Sequence, residues 1–205
     1  MDAATVTASI PLVLGSGSPR RRAFVEELGI RHVVRVVPVD ETVLPGEAAS
    51  VYLARVVADK LAATCAALRE GSEISQETRV LVADTTVIVS GDRLLGKPAD
   101  AAENAAMIRQ IAGSAHTVAT RFAIAAVNGA VDHVETVETR VFVRSMTDAQ
   151  IVAYAASGEG FDKAGGYAIQ GRFARYVRAI EGSYATVVGL PLAEVAEAFE
   201  RLGLL

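Results

Sequence analysis

An unbroken apolar run at residues 10–14 leads into Gly15-Ser16-Gly17, which predicts a short buried strand and a glycine turn. Ser18 as N-cap and Pro19 in the first helical position then predict a helix to about Leu28. Residues 33–37, four valines around Arg35, predict another strand. From Ala49 to about Leu68 the apolar positions follow one helical face, and the helix should close near Gly71. Residues 71–78 are polar and predict a loop. Two β-rich runs, 80–83 and 86–89, flank Asp84-Thr85, and a turn at Gly91-Asp92 precedes Leu94-Leu95. Asp100, with Glu103 three residues on, marks the start of a third helix that ends before Gly113.

The second half alternates differently. Two long strand patterns, about 116–127 and 131–143, are separated by Asn128-Gly129, a strong hairpin signal. Thr147 and Gln150 form a capping pair for a helix that stops at Gly158, and a loop follows at 161–171. Residues 173–180 alternate like a strand, and Pro191 opens a last helix ending near Gly203. Mixed strands and helices with an antiparallel hairpin predict an α/β fold of α+β character rather than a regular doubly wound sheet. No repeat or linker interrupts the pattern, so residues 1–205 read as one domain.

Composition narrows the chemistry. The 205 residues are 51% hydrophobic, enough to bury a core and to exclude disorder. Aromatics are only 5% and Trp is absent, so small and β-branched aliphatics must build that core. A net charge of −4 argues against a nucleic-acid partner, which needs clustered Lys and Arg; any phosphate must be met locally. The single Cys65 excludes an intrachain disulfide, and its neighbours Leu61, Ala62 and Leu68 give it a core reading. His32, His116 and His133 are too scattered for ligand spacing. No stretch approaches the roughly 18 apolar residues of a membrane span, and the first residues lack the basic segment of a secretion signal. The expected location is the cytoplasm, without a membrane partner.

Three groups of residues carry candidate chemistry. In GSGSPRRR, residues 15–22, a glycine turn feeds a helix whose first turn holds Arg20, Arg21 and Arg22. Cations there oppose the helix dipole at about 0.3–1 kcal/mol each, and a bound anion would reverse that sign. The motif reads as a phosphate cradle or as a solvated face balanced by Glu26 and Glu27. Asp84 reads as a carboxylate emerging where a buried strand ends, with Asp40 and Glu41 able to join it as oxygen ligands for Mg²⁺ or Mn²⁺; the other reading makes Asp84 a turn cap and leaves Asp40 and Glu41 on the surface. Lys97 stands in a rigid Gly-Lys-Pro loop that suits a functional role, whereas Lys60 on its helix reads as an exposed lysine.

Four blocks, SGSPRRRAFVEELGI, ADTTVIVSGDRLLGKPAD, DKAGGYAIQG and GSYATVVGLPL, resemble the Maf family in the same order and span nearly the whole chain. The resemblance implies a bent mixed sheet with flanking helices and two lobes around a nucleotide cleft, similar to inosine-triphosphate pyrophosphatases. It implies metal-dependent hydrolysis of nucleoside triphosphates to the monophosphate and pyrophosphate, and a homodimer. By matched position it implies Asp84 as proton acceptor, with Lys60 and Lys97 in catalysis and Glu41 and Asp84 on a divalent cation. Ser16, Ser18, Arg20, Arg21, Glu41, Thr85, Lys163 and Gln170 are implied to meet the substrate. Two departures stand out: Thr120-Arg121 where Thr-Gly is common, and 38–41 lacking one acid of the usual acidic block.

Arg20, Thr85 and Gln170 are similar to the subgroup acting on dTTP and UTP, which points to these and to modified pyrimidine nucleotides. The chemistry of Gln170 agrees. Uracil and thymine present an N3–H donor between two carbonyls, and a glutamine amide offers an acceptor and a donor together. The other reading has Gln170 bonding only its own loop backbone. The rival function, also implied by the resemblance, is a non-catalytic nucleotide-binding regulator of cell division, which would need the basic cradle but not Asp84.

Overall fold

The computed structural model describes residues 12–70, 75 and 77–205. The start of the expected first strand at Ile10, and residues 71–74 and 76 of the expected polar loop, lie outside them. In chain order the elements are β1 (Leu12–Leu14), α1 (Pro19–Glu27), β2 (His32–Val34), α2 (Ala49–Arg69), β3 (Arg79–Val89), β4 (Arg93–Leu95) and α3 (Ala101–Ile111). There follow β5 (Ala115–Ala126), β6 (Val131–Val143), α4 (Asp148–Ala155), β7 (Val177–Glu181), α5 (Tyr184–Val188) and α6 (Leu192–Arg201). The strands form one sheet in the order β2-β1-β3-β5-β6-β7, with β4 also beside β3. β1 pairs parallel with β2 and β3, and every other pairing is antiparallel. The mixed α/β expectation holds.

Caps explain the helices. Ser18, Asp100 and Thr147 each accept a hydrogen bond from the backbone three residues on, and Thr147 with Gln150 completes a reciprocal capping box. The β5–β6 hairpin turns at Asn128-Gly129, where Gly129 takes φ +94° and the Asn128 side chain accepts from Ala130 N. Register shifts at Ile124/Ala125 and Phe142/Val143 mark bulges of the kind that bend a sheet.

Three expectations change. The runs 80–83 and 86–89 are not two strands but one, so Asp84 lies in mid-strand, paired with Arg121, instead of emerging at an end. Residues 172–176 form a 3₁₀ turn before β7, because Phe173 and Tyr176, three apart, both turn inward. The strand expected at 33–37 is only His32–Val34, whereas Thr120-Arg121 lies within β5, as the 116–127 pattern predicts, and Arg121 donates to Thr136 Oγ1 at 2.8 Å on the neighbouring strand.

The core explains why mid-strand is a useful place. Along the first half of β3, Val80 and Val82 face α2, while Leu81 and Ala83 face α1 and α6. Beyond Thr86, Val87 and Val89 join a separate cluster built from α3, α4 and the segment 167–176. Asp84 and Thr85 sit at the waist between these two packed regions.

Candidate functional site

A cleft of about 790 Å³ opens at that waist. Ser16, Ser18, Arg20, Arg21, Glu41, Lys60, Asp84, Thr85, Lys97, Lys163 and Gln170 all line it, so every residue that the family resemblance implies for the site reaches one cavity. Asp40 does not; it accepts from Thr42 N at 2.8 Å in a turn of its own.

The acidic end is a chain of ion pairs. Lys60 Nζ lies 2.6 Å from Asp84 Oδ1 and 2.6 Å from Glu41 Oε1, and Lys97 Nζ lies 2.7 Å from Glu41 Oε2. Lys60 is therefore no exposed lysine: its side chain is 12% accessible and bridges two carboxylates. α2 delivers it from across the face of β3, and Tyr52 on the same helix donates to Glu41 O. Burial alone would raise the Glu41 pKa, but hydrogen bonds from Lys60 and Lys97 hold it down at about 2. Asp84 Oδ2 is buried with no hydrogen-bond partner. A carboxylate with one oxygen tied and the other open can accept a proton or complete a cation's coordination.

The three arginines separate. Arg21 turns inward: Nε donates to Gly189 O (2.7 Å), Nη1 to Ser16 Oγ (3.1 Å) and Ala83 O (2.9 Å), and Nη2 to Thr85 Oγ1 (3.0 Å). Thr85 Oγ1 also meets Thr120 Oγ1 at 2.8 Å, and Thr120 Oγ1 donates to Thr186 O. Arg21 thus clamps α1, β3 and the end of α5 together, and burial pulls its pKa below the arginine range against the opposing pull of Asp84. Arg22 pairs with Glu26 on the surface at 2.8 Å, the solvated reading of the motif. Arg20 faces the cleft and reaches Asp162 at 3.7 Å. The turn before α1 needs its glycine, since a Cβ on Gly15 would lie 2.7 Å from Val82 Cγ1 and 2.9 Å from Thr64 Oγ1.

The far end is a loop. Lys163 Nζ donates to Glu159 O and pairs with Asp162, and Glu159 Oε1 accepts from Arg172 N at 2.9 Å, closing the loop on itself. Gln170 is exposed over the cleft, and its amide has no hydrogen-bond partner among the described residues. Sequence reasoning missed Glu159 and Asp162 here, although two acids in the glycine-bounded stretch 158–165 were a visible signal. It also missed the apolar wall of Val36, Val37 and Val39. Cys65 is buried in the core as expected, and among the described residues no group of three or more His, Cys, Asp or Glu could hold a metal. No helix among them is long and apolar enough to cross a membrane.

A mid-strand carboxylate held by Lys60, opposite a loop presenting a free amide, defines an α/β protein with a composite polar cleft. The chain belongs to the Maf-like protein family, which it matches over residues 11–202. It is similar to a dTTP/UTP pyrophosphatase of Desulfotalea psychrophila, 43% identical over 190 residues, covering 91% of this chain and 92% of that one. It is also similar to a dTTP/UTP pyrophosphatase of Myxococcus xanthus, 44% identical over 193 residues, covering 94% and 93%. A solved nucleoside-triphosphatase (dITP/XTP pyrophosphatase) of Mycobacterium abscessus aligns over 94% of this chain and 96% of its own at 15% identity and a TM-score of 0.41, too loose a likeness to bear on fold or activity.

Proposed function

We propose that this chain is a cytoplasmic nucleoside triphosphate pyrophosphatase that converts dTTP and UTP to the monophosphate and pyrophosphate. One observation carries the reading: Lys60 bridges Glu41 and Asp84 while Asp84 Oδ2 stays buried and unpartnered at the waist of the cleft. The names of the relatives support both the bond that is cut and the bases preferred.

Two carboxylates beside an open oxygen fit Mg²⁺ or Mn²⁺, since Mg²⁺ is commonly held by one or two carboxylates together with substrate phosphates. Glu41 and Asp84 would hold it, and the cation would supply charge neutralisation at the triphosphate. Arg20, Lys60 and Lys97 add fixed positive charge where the transferring group becomes more negative. Water attacks the α-phosphorus and gives its proton to Asp84 Oδ2. As the new P–O bond forms, the α–β bridging bond breaks, and pyrophosphate leaves with that electron pair. Gln170 accepts from N3–H of the pyrimidine and donates to a neighbouring carbonyl, a pattern cytosine does not offer.

The test is product analysis on UTP, dTTP, CTP and 7-methyl-GTP with Mg²⁺ or Mn²⁺. Pyrophosphate and monophosphate, made fastest from UTP and dTTP and abolished by chelation, are expected. Diphosphate with orthophosphate would reject the mechanism, and equal kcat/KM for UTP and CTP would reject the pairing.

A further inference from the structure

Asn104 stands on the inward face of α3 with Ala105, Met107, Ile108 and Ile111, and its accessibility is 0%. A buried amide at such a position is costly unless its hydrogen bonds are made. Only one of its two polar atoms is partnered. Nδ2 donates to Gly166 O at 2.7 Å, while Oδ1 is buried without a partner. An apolar residue here would remove that orphan oxygen but leave Gly166 O buried without a donor, so what the amide supplies is a hold on one peptide of the loop that borders the cleft.

That peptide is hard to hold otherwise. Gly165 and Gly166 take φ +72° and +70°, and a Cβ on Gly166 would lie 2.0 Å from Asn104 Nδ2, so the loop leaves room for the Asn104 side chain only by having none of its own there. Gly165 N donates to Gly96 O at 3.0 Å, next to Lys97. On the other side, Tyr167 Oη meets His116 Nε2 at 2.7 Å and Ala168 N donates to Tyr154 Oη at 3.0 Å. Buried polar groups thus fix residues 165–168 in succession, and Gln170 projects from the end of that fixed stretch.

We infer that Asn104 is a positioning residue for base selection, holding the Gly166 peptide so that Gln170 meets the pyrimidine edge in register with Lys97. The inference rests on the pyrimidine reading of the cleft. Asn104→Leu keeps the side-chain size, removes the donor and also removes the orphan oxygen. The expected result is a folded protein with a Tm at or somewhat below that of the wild type, because Gly166 O is left buried without its donor, together with a fall of about three- to tenfold in the UTP:CTP ratio of kcat/KM, the loss of one hydrogen bond. The change should lie in KM for UTP, with kcat within about twofold. Hydrogen exchange of the free protein should quicken in residues 159–171 and not in α2. Asn104→Ala serves the same comparison if leucine unfolds the chain. An unchanged ratio in a wild type that does prefer UTP, or loop exchange equal to wild type, overturns the inference. A wild type that does not prefer UTP overturns the pyrimidine reading instead, and the exchange measurement still decides whether Asn104 holds the loop.

Discussion

The two ends of the cleft are built on opposite plans. At one, Glu41, Lys60, Asp84 and Lys97 form a continuous run of ion pairs, with Asp84 in the middle of β3 and Lys60 on α2. At the other, residues 166–168 are held by buried neutral hydrogen bonds to Asn104, His116 and Tyr154, the ion pairs of Arg20 and Lys163 with Asp162 lie nearer the surface, and Gln170 is left with a free amide. Reaction geometry tolerates little displacement, which suits long paired elements. Base choice is a matter of one or two hydrogen bonds, which a loop can present and vary.

The largest effect expected from breaking this contrast is at Asp84. Asp84→Asn keeps the shape and removes the charge, so turnover should fall about 10²–10⁴-fold with nucleotide binding retained. Kinetics alongside an equilibrium binding measurement check this, and a variant with more than about half the wild-type rate would move Asp84 to a structural role. Next comes Gln170→Glu, which should erode the UTP preference by about 1–3 kcal/mol with little change in kcat, read as kcat/KM across four triphosphates.

Acid should separate the two ends by a comparable or smaller amount. Burial lowers the His116 pKa from 6.5 to about 4, so the unfolded chain takes up the proton first. The stability it contributes is complete above pH about 6.5 and is lost as pH falls to about 4, on the order of 1–3 kcal/mol. Glu41, held at about 2 by its lysines, stays charged throughout that window and loses its contribution only between about 4.5 and 2. Chemical denaturation against pH should show a slope that His116→Phe flattens. The smallest effect belongs to Arg22→Ala, which breaks only the exposed pair with Glu26 and should change stability by less than about 0.5 kcal/mol and activity not at all.

Much of this was legible in the chain because the signals were local. Ser18, Asp100 and Thr147 announce their helices, and Asn128-Gly129 announces the hairpin. Asp84 was misplaced because Asp is a poor strand residue, and its mid-strand position is enforced only by pairing with β5. Neighbouring arginines on a helix point about 100° apart, so the sequence cannot say which of Arg20, Arg21 and Arg22 turns inward. Packing against Gly189 and Ala83 decides it. Lys60 looked solvated because the carboxylates it bridges are 19 residues before it and 24 after it. Asn104 left a trace, a lone amide on the apolar face of α3, whose partner in the loop only the fold reveals.

The unbroken β3 also has a consequence in time. Its ladder to β5 runs from Arg79↔Ala126 to Ile88↔Thr117, through both packed regions, so these regions cannot rock apart without tearing hydrogen bonds at the waist. Slow hinge closure, the microsecond-to-millisecond gate of many two-lobed enzymes, would here have to bend a paired strand rather than turn on a linker. Entry of nucleotide and exit of pyrophosphate are left to the border segments 36–47 and 159–163, outside the stretch 165–168 that hydrogen bonds hold.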